Sequence, residues 1–173
     1  FRDGVDYLDT QTVSVSYGAM HRVDVARGEW FTEADERRLA PAVIVSDAVW
    51  QRLGSPDLRT HPTLTLLSDH EVTAVVTGVL PPAPYDTGLR MYILGSAFTA
   101  VSAPAAVAQL YPMYEFWVPL DTADQMTALL QRDIQGAFGD GWQVDVTRQD
   151  YLAWEGGGDP IGPIRVVLAG IAV

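Results

Sequence analysis

Cysteine, lysine and asparagine are absent from the 173 residues. Without cysteine there is no disulfide framework, no thiolate metal site and no cysteine nucleophile. Without lysine there is no phosphate-loop lysine and no Schiff-base chemistry. Without asparagine there is no N-glycosylation acceptor. All 11 basic residues are therefore arginine, set against 22 acidic ones, for a formal net charge of −11 at pH 7. Nucleic-acid binding needs cations that displace phosphate counterions, so this balance argues against it. Docking on anionic lipid through a basic patch is disfavoured for the same reason.

Motifs that carry chemistry are also missing. His21, His61 and His70 form neither HxxxH nor HExxH, so no metal site is expected. There is no GxSxG nucleophile elbow. Gly156-Gly157-Gly158 lacks the Lys-Ser/Thr that would follow in a phosphate loop, and it reads as a flexible joint. Glu33, Asp35 and Glu36 could serve as acid and base, but on the first turn of a helix the macrodipole favours acids without any catalytic role. No catalytic residue, metal ligand or cofactor follows from the sequence.

What the chain does hold is core material: 48% hydrophobic residues and only 19% charged. That suits one domain, or one domain with a subdomain. Gln11–Tyr17 alternates Val13, Val15 and Tyr17 with polar residues, as a half-buried strand does. His21–Ala26 reads as a second, shorter extended segment. Thr32 to Asp35 resembles a capping box, which predicts a short helix over Glu33–Leu39. Pro41–Val45 is an apolar run typical of a central strand. Ser46 then caps a helix over Asp47–Leu53, closed by Gly54. Thr63–Leu67 and Glu71–Leu80 read as a hairpin turning at residues 68–70, and Pro81-Pro82 ends it.

The stretch from Tyr85 to Leu110 is rich in Gly, Ala, Ser and Thr. It reads as a small irregular insertion within about residues 81–112. Tyr85, Tyr92 and Tyr111 lie in or beside it, and they are the candidates for a partner or ligand surface. Met113–Leu120 returns to strand character. A helix follows, with Met126, Leu129, Leu130, Ile134, Ala137 and Phe138 on one face, and then a strand through Trp142, Val144 and Val146. This order predicts an α+β domain with a mixed sheet and packed helices. The chain starts at Phe1 rather than Met, as a fragment or processed product would. Its tail, Pro163–Val173, is apolar apart from Arg165 and is about half the length a membrane helix needs. Either a buried terminal element or the first turns of a membrane helix would account for it.

Taken in order, several segments resemble the extracytoplasmic core domain of MacB/FtsX-type ABC transporter permeases. They are Arg27–Asp35 (RGEWFTEAD), Pro41–Ser46 (PAVIVS), Leu53-Gly54, Val72–Leu80 (VTAVVTGVL) and Trp117–Leu120 (WVPL). Glu29 stands where that family usually has arginine. The resemblance implies a porter-like lobe over residues 1–163, with residues 164–173 as the truncated start of a membrane helix. It implies a non-catalytic domain on the extracytoplasmic face of the plasma membrane. It implies a cognate ATPase subunit inside the cell, a permease dimer, and an exported lipoprotein, peptide or drug. The domain would couple ATP hydrolysis to the handling of that substrate or of a partner. A free-standing secreted or periplasmic binding module is the alternative.

Overall fold

Four consecutive apolar residues, Ala42–Val45, are all buried and form strand β3. Such a run offers no polar side to water, so it takes a place inside a sheet covered on both faces. The computed structural model describes residues 6–67, 71–83, 88–108, 113–139, 141–148 and 161–170. In it, β3 has a neighbour on each edge: β5 (Glu71–Val79) runs parallel to it and β6 (Arg90–Leu94) antiparallel. β1 (Asp9–Val13) extends the sheet beyond β6 in parallel. β2 (Arg27–Gly28) and β4 (Thr63–Leu67) both pair antiparallel with β5. The result is a mixed six-stranded sheet with packed helices, an α+β fold. The helices of this part are α1 (Tyr17–Met20), α2 (Asp47–Arg52), α3 (Gly95–Val101) and α4 (Pro104–Val107).

Both faces of the sheet are covered. On one, Val43, Val45, Met91 and Ile93 pack with Val49 and Trp50 of α2. On the other, Val13, Ile44 and Leu94 pack with Phe31, from the segment between β2 and β3. That segment runs close over β5, and glycine makes the approach possible. A Cβ on Gly78 would lie 3.0 Å from the Glu29 carbonyl oxygen and 3.1 Å from Ile44 Cγ1. Gly28 has φ of 78°, and a Cβ there would collide with the Thr77 carbonyl oxygen.

The chain divides into two compact units, Phe1–Ala108 and Gln109–Val173. The second contains β7 (Met113–Pro119), α5 (Ala123–Phe138), β8 (Trp142–Arg148) and β9 (Ile161–Gly170). Its sheet is antiparallel, in the order β7-β9-β8. Ala123, Met126, Leu130 and Ile134 recur three or four residues apart on α5, and they pack with Val118 and Val144. Leu129 and Phe138 are more exposed, at 43% and 44%.

Several segments differ from the sequence reading, each for a physical reason. The first strand gives way to α1 at Tyr17, and His21–Ala26 forms no strand. The expected helix over Glu33–Leu39 shrinks to a 3-10 turn at Asp35–Arg37. Ser46 occupies the N-cap position of α2 but caps nothing: its hydroxyl donates to the Gly88 carbonyl at 3.0 Å and accepts from the Arg90 N–H at 3.2 Å. The stretch read as an insertion contains β6, which sits between β1 and β3 in the sheet. Its five residues are too short a run to stand out in a Gly- and Ala-rich setting. In place of a membrane helix starting at residue 164, Ile161–Gly170 is the central strand of the second sheet. A continuous apolar run suits a strand paired on both edges as well as it suits a helix. No helix among the described residues is long and apolar enough to cross a membrane.

Candidate functional site

β1 and β6 run side by side in parallel, with Asp9 opposite Arg90, Gln11 opposite Tyr92 and Val13 opposite Leu94. Alternation puts these three pairs on one side of the sheet. Val13 and Leu94 are buried there, with Phe31. The other two pairs form a polar strip. Asp9, Gln11, Arg90 and Tyr92 line a cavity of about 70 Å³ with Leu80 and Met91. A carboxylate, a primary amide, a guanidinium and a phenol thus converge beside apolar walls. Such a mixture orients a polar ligand group or a partner's backbone.

Tyr92 joins this strip to an aromatic cluster. Its ring lies 5.4 Å from Trp30, edge to face, and 5.9 Å from Tyr17. Tyr17 stacks on His21 at 4.1 Å, and Trp30 meets Phe31 at 5.2 Å. Polar handles fix the rings: Trp30 Nε1 donates to the Val15 carbonyl at 2.8 Å, and Gln11 Nε2 donates to the Tyr17 hydroxyl at 3.0 Å. Trp30 lies flat over Gly18, where a Cβ would collide with the indole. Burial pushes the Tyr92 phenol above its ordinary value of 10.0, and the neighbouring Tyr17 adds to this while Arg90 opposes it. Tyr92 therefore stays a neutral donor and acceptor at physiological pH. Of the three tyrosines singled out from sequence, the structure places Tyr92 in this strip; Tyr85 and Tyr111 lie outside the described residues. Asp9, Gln11 and Arg90 carried no sequence signal, because only the pairing of β1 with β6 brings them together.

A broader depression of about 380 Å³ is lined by Arg27, Trp50, Ser55, Pro56, Asp57 and Leu58. Its charges are already engaged. Arg27 pairs with Asp47 at 3.3 Å, and Asp57 with Arg59 at 2.8 Å. The Arg59 side chain, with its backbone N–H, holds the Asp57 carboxyl below its ordinary value. We favour the smaller strip, whose polar groups face one cavity.

The acidic cluster near residue 35 has a structural role. The Thr32 N–H and hydroxyl each donate to Asp35 Oδ2 at 2.8 Å, and Arg38 donates to Oδ1 at 3.1 Å. Burial alone would raise the Asp35 carboxyl, but these hydrogen bonds outweigh it and hold the group below 3.8. A proton donor at neutral pH needs the opposite shift. His61 is an exposed residue ending the 3-10 turn Leu58–Thr60, with φ of 53°, and His70 lies outside the described residues. Among the described residues no three His, Asp or Glu side chains could hold a metal ion together.

Residues 2–137 match the family of MacB-like periplasmic core domains. The chain belongs to this family. The match spans the six-stranded sheet and reaches nearly to the end of α5. A comparison with curated proteins found no match. Membership makes this MacB-like chain a periplasmic domain of an ABC transporter permease, a class that works with ATPase subunits. It lies on the extracytoplasmic side, and its family is one of transporter domains rather than catalytic ones.

Proposed function

We propose that this domain makes and breaks no bonds itself, and that it couples ATP hydrolysis by the cognate cytoplasmic ATPase to substrate or partner handling outside the membrane. The family match over residues 2–137 is the observation that carries this reading. The parent permease acts as a dimer, and the cargo is a lipoprotein, peptide or drug. The strip of Asp9, Gln11, Arg90 and Tyr92 is the contact surface. It presents donors and acceptors on a rigid sheet, positioned by an aromatic cluster, which is how a site held by strands keeps its geometry.

The experiment is ATP hydrolysis by the parent permease with its ATPase in proteoliposomes, with and without a candidate cargo. Tyr92→Phe keeps the ring and removes the hydroxyl, and Gln11→Leu removes the amide. Both are expected to leave basal hydrolysis unchanged and to reduce its stimulation by cargo about tenfold, the effect of losing one buried hydrogen bond. Stimulation that survives both substitutions would remove the strip from the reading. A permease that transports at the wild-type rate with the whole domain deleted would remove the coupling role.

A further inference from the structure

An outer strand of a sheet carries a row of main-chain donors and acceptors that must be covered, or it will pair with another chain. In the second unit the outer strands are β7 and β8. β8 is covered by its own helix. Gln131 Nε2 donates to the Val144 carbonyl at 2.8 Å, and Gln131 Oε1 accepts from the Val146 N–H at 3.1 Å. Gln135 Oε1 accepts from the Val144 N–H at 3.3 Å. β7 has β9 on one side and, among the described residues, no strand on the other. Tyr114, Phe116 and Val118 alternate onto one face of it. Val118 is buried, whereas Tyr114 and Phe116 are 52% and 38% exposed.

We propose that the outer edge of β7 docks an extended segment of a partner protein, which adds as a fourth strand and alternates apolar with basic residues. Main-chain hydrogen bonding along a sheet edge selects an extended segment. Tyr114 and Phe116 select an apolar side chain at every second position. Charge selects the rest. A second copy of this chain brings the same net charge of −11 and is repelled, whereas a basic segment is attracted. Pro119 has no N–H to give, so pairing runs over Met113–Val118, about 20 Å of strand. The inference does not rest on the transport reading.

The test uses the whole chain in solution, isotope-labelled, with a short N-acetylated peptide of alternating valine and lysine. The expected result is a set of amide shifts confined to Met113–Val118. Affinity falls at least about tenfold for the alternating valine–glutamate peptide, and binding is lost when every peptide amide is N-methylated. Tyr114→Lys, at the more exposed of the two aromatic positions, weakens binding and leaves the α5 and β8 resonances in place. The proposal is overturned by any of four outcomes: no shift in β7, shifts that map elsewhere, equal binding of the N-methylated peptide, or dimerisation of the chain through β7.

Discussion

Ser46 is the buried polar residue among the described ones, at 7% exposure. Its hydroxyl ties the start of α2 to the chain entering β6, bonding groups 42 and 44 residues away. The sequence shows that a serine precedes a helix; it cannot show a partner that far off. Ser46→Ala should cost about 1 kcal/mol in denaturant unfolding, because two partly buried hydrogen bonds are removed. Gly18 makes a steric prediction. Gly18→Ala forces Trp30 off its place and should cost about 1–3 kcal/mol. Asp35 makes one about pH. Its folded carboxyl titrates below the ordinary 3.8, so the stabilisation is complete above the unfolded value and is lost as pH falls through the folded one. Asp35→Asn should therefore cost about 1 kcal/mol at pH 7, and the gap from wild type should close below about pH 4. A gap that widens on acidification would reverse the assignment. The Thr32–Asp35 pairing itself was legible, since a capping box is local and its spacing is written in the chain.

Among the elements, legibility follows how local the deciding interaction is. α5 shows in the sequence because Met126, Leu130 and Ile134 repeat at helical spacing, whatever they pack on. β3 shows because four apolar residues between Pro41 and Ser46 leave few alternatives. β6 and β9 do not, since each is defined by neighbours far along the chain: β1 and β3 for one, β7 and β8 for the other. The polar strip is hidden for the same reason, as its four residues come from two strands about eighty residues apart that meet only through the sheet. Edge closure is also an element-scale property, and Gln131 tests it. Gln131→Met keeps the length of the side chain and removes both the donor for the Val144 carbonyl and the acceptor for the Val146 N–H. It should destabilise the second unit by about 1–3 kcal/mol and speed hydrogen exchange at Val146, with Val43 and Ile93 unaffected. Unchanged exchange at Val146 would mean that the glutamine covers nothing.

At the scale of the molecule, the two units differ in length: the first spans Phe1–Ala108 and the second Gln109–Val173. The sheet of the first buries Val43, Ile44, Val45, Ile93 and Leu94 fully, with Phe31, Val49 and Trp50 packed against its faces. The described core of the second is Val118, Ala123 and Val144, with partly buried side chains from α5 and β8 around it. Buried apolar area supplies most of the stabilising free energy, at about 25 cal/mol per Å², and a shorter unit buries a smaller fraction of its surface against chain entropy. On this argument the two units should unfold as separate blocks of unequal stability. Native-state hydrogen exchange in rising denaturant should show Leu130, Val144 and Val146 losing protection first. Val43, Ile44 and Ile93 should hold to a higher midpoint, with the near-ultraviolet signal of the Trp30–Tyr92 cluster persisting alongside them. One shared midpoint for both sets would show a single cooperative block. A protected second unit outlasting the first would invert the order that the two lengths predict.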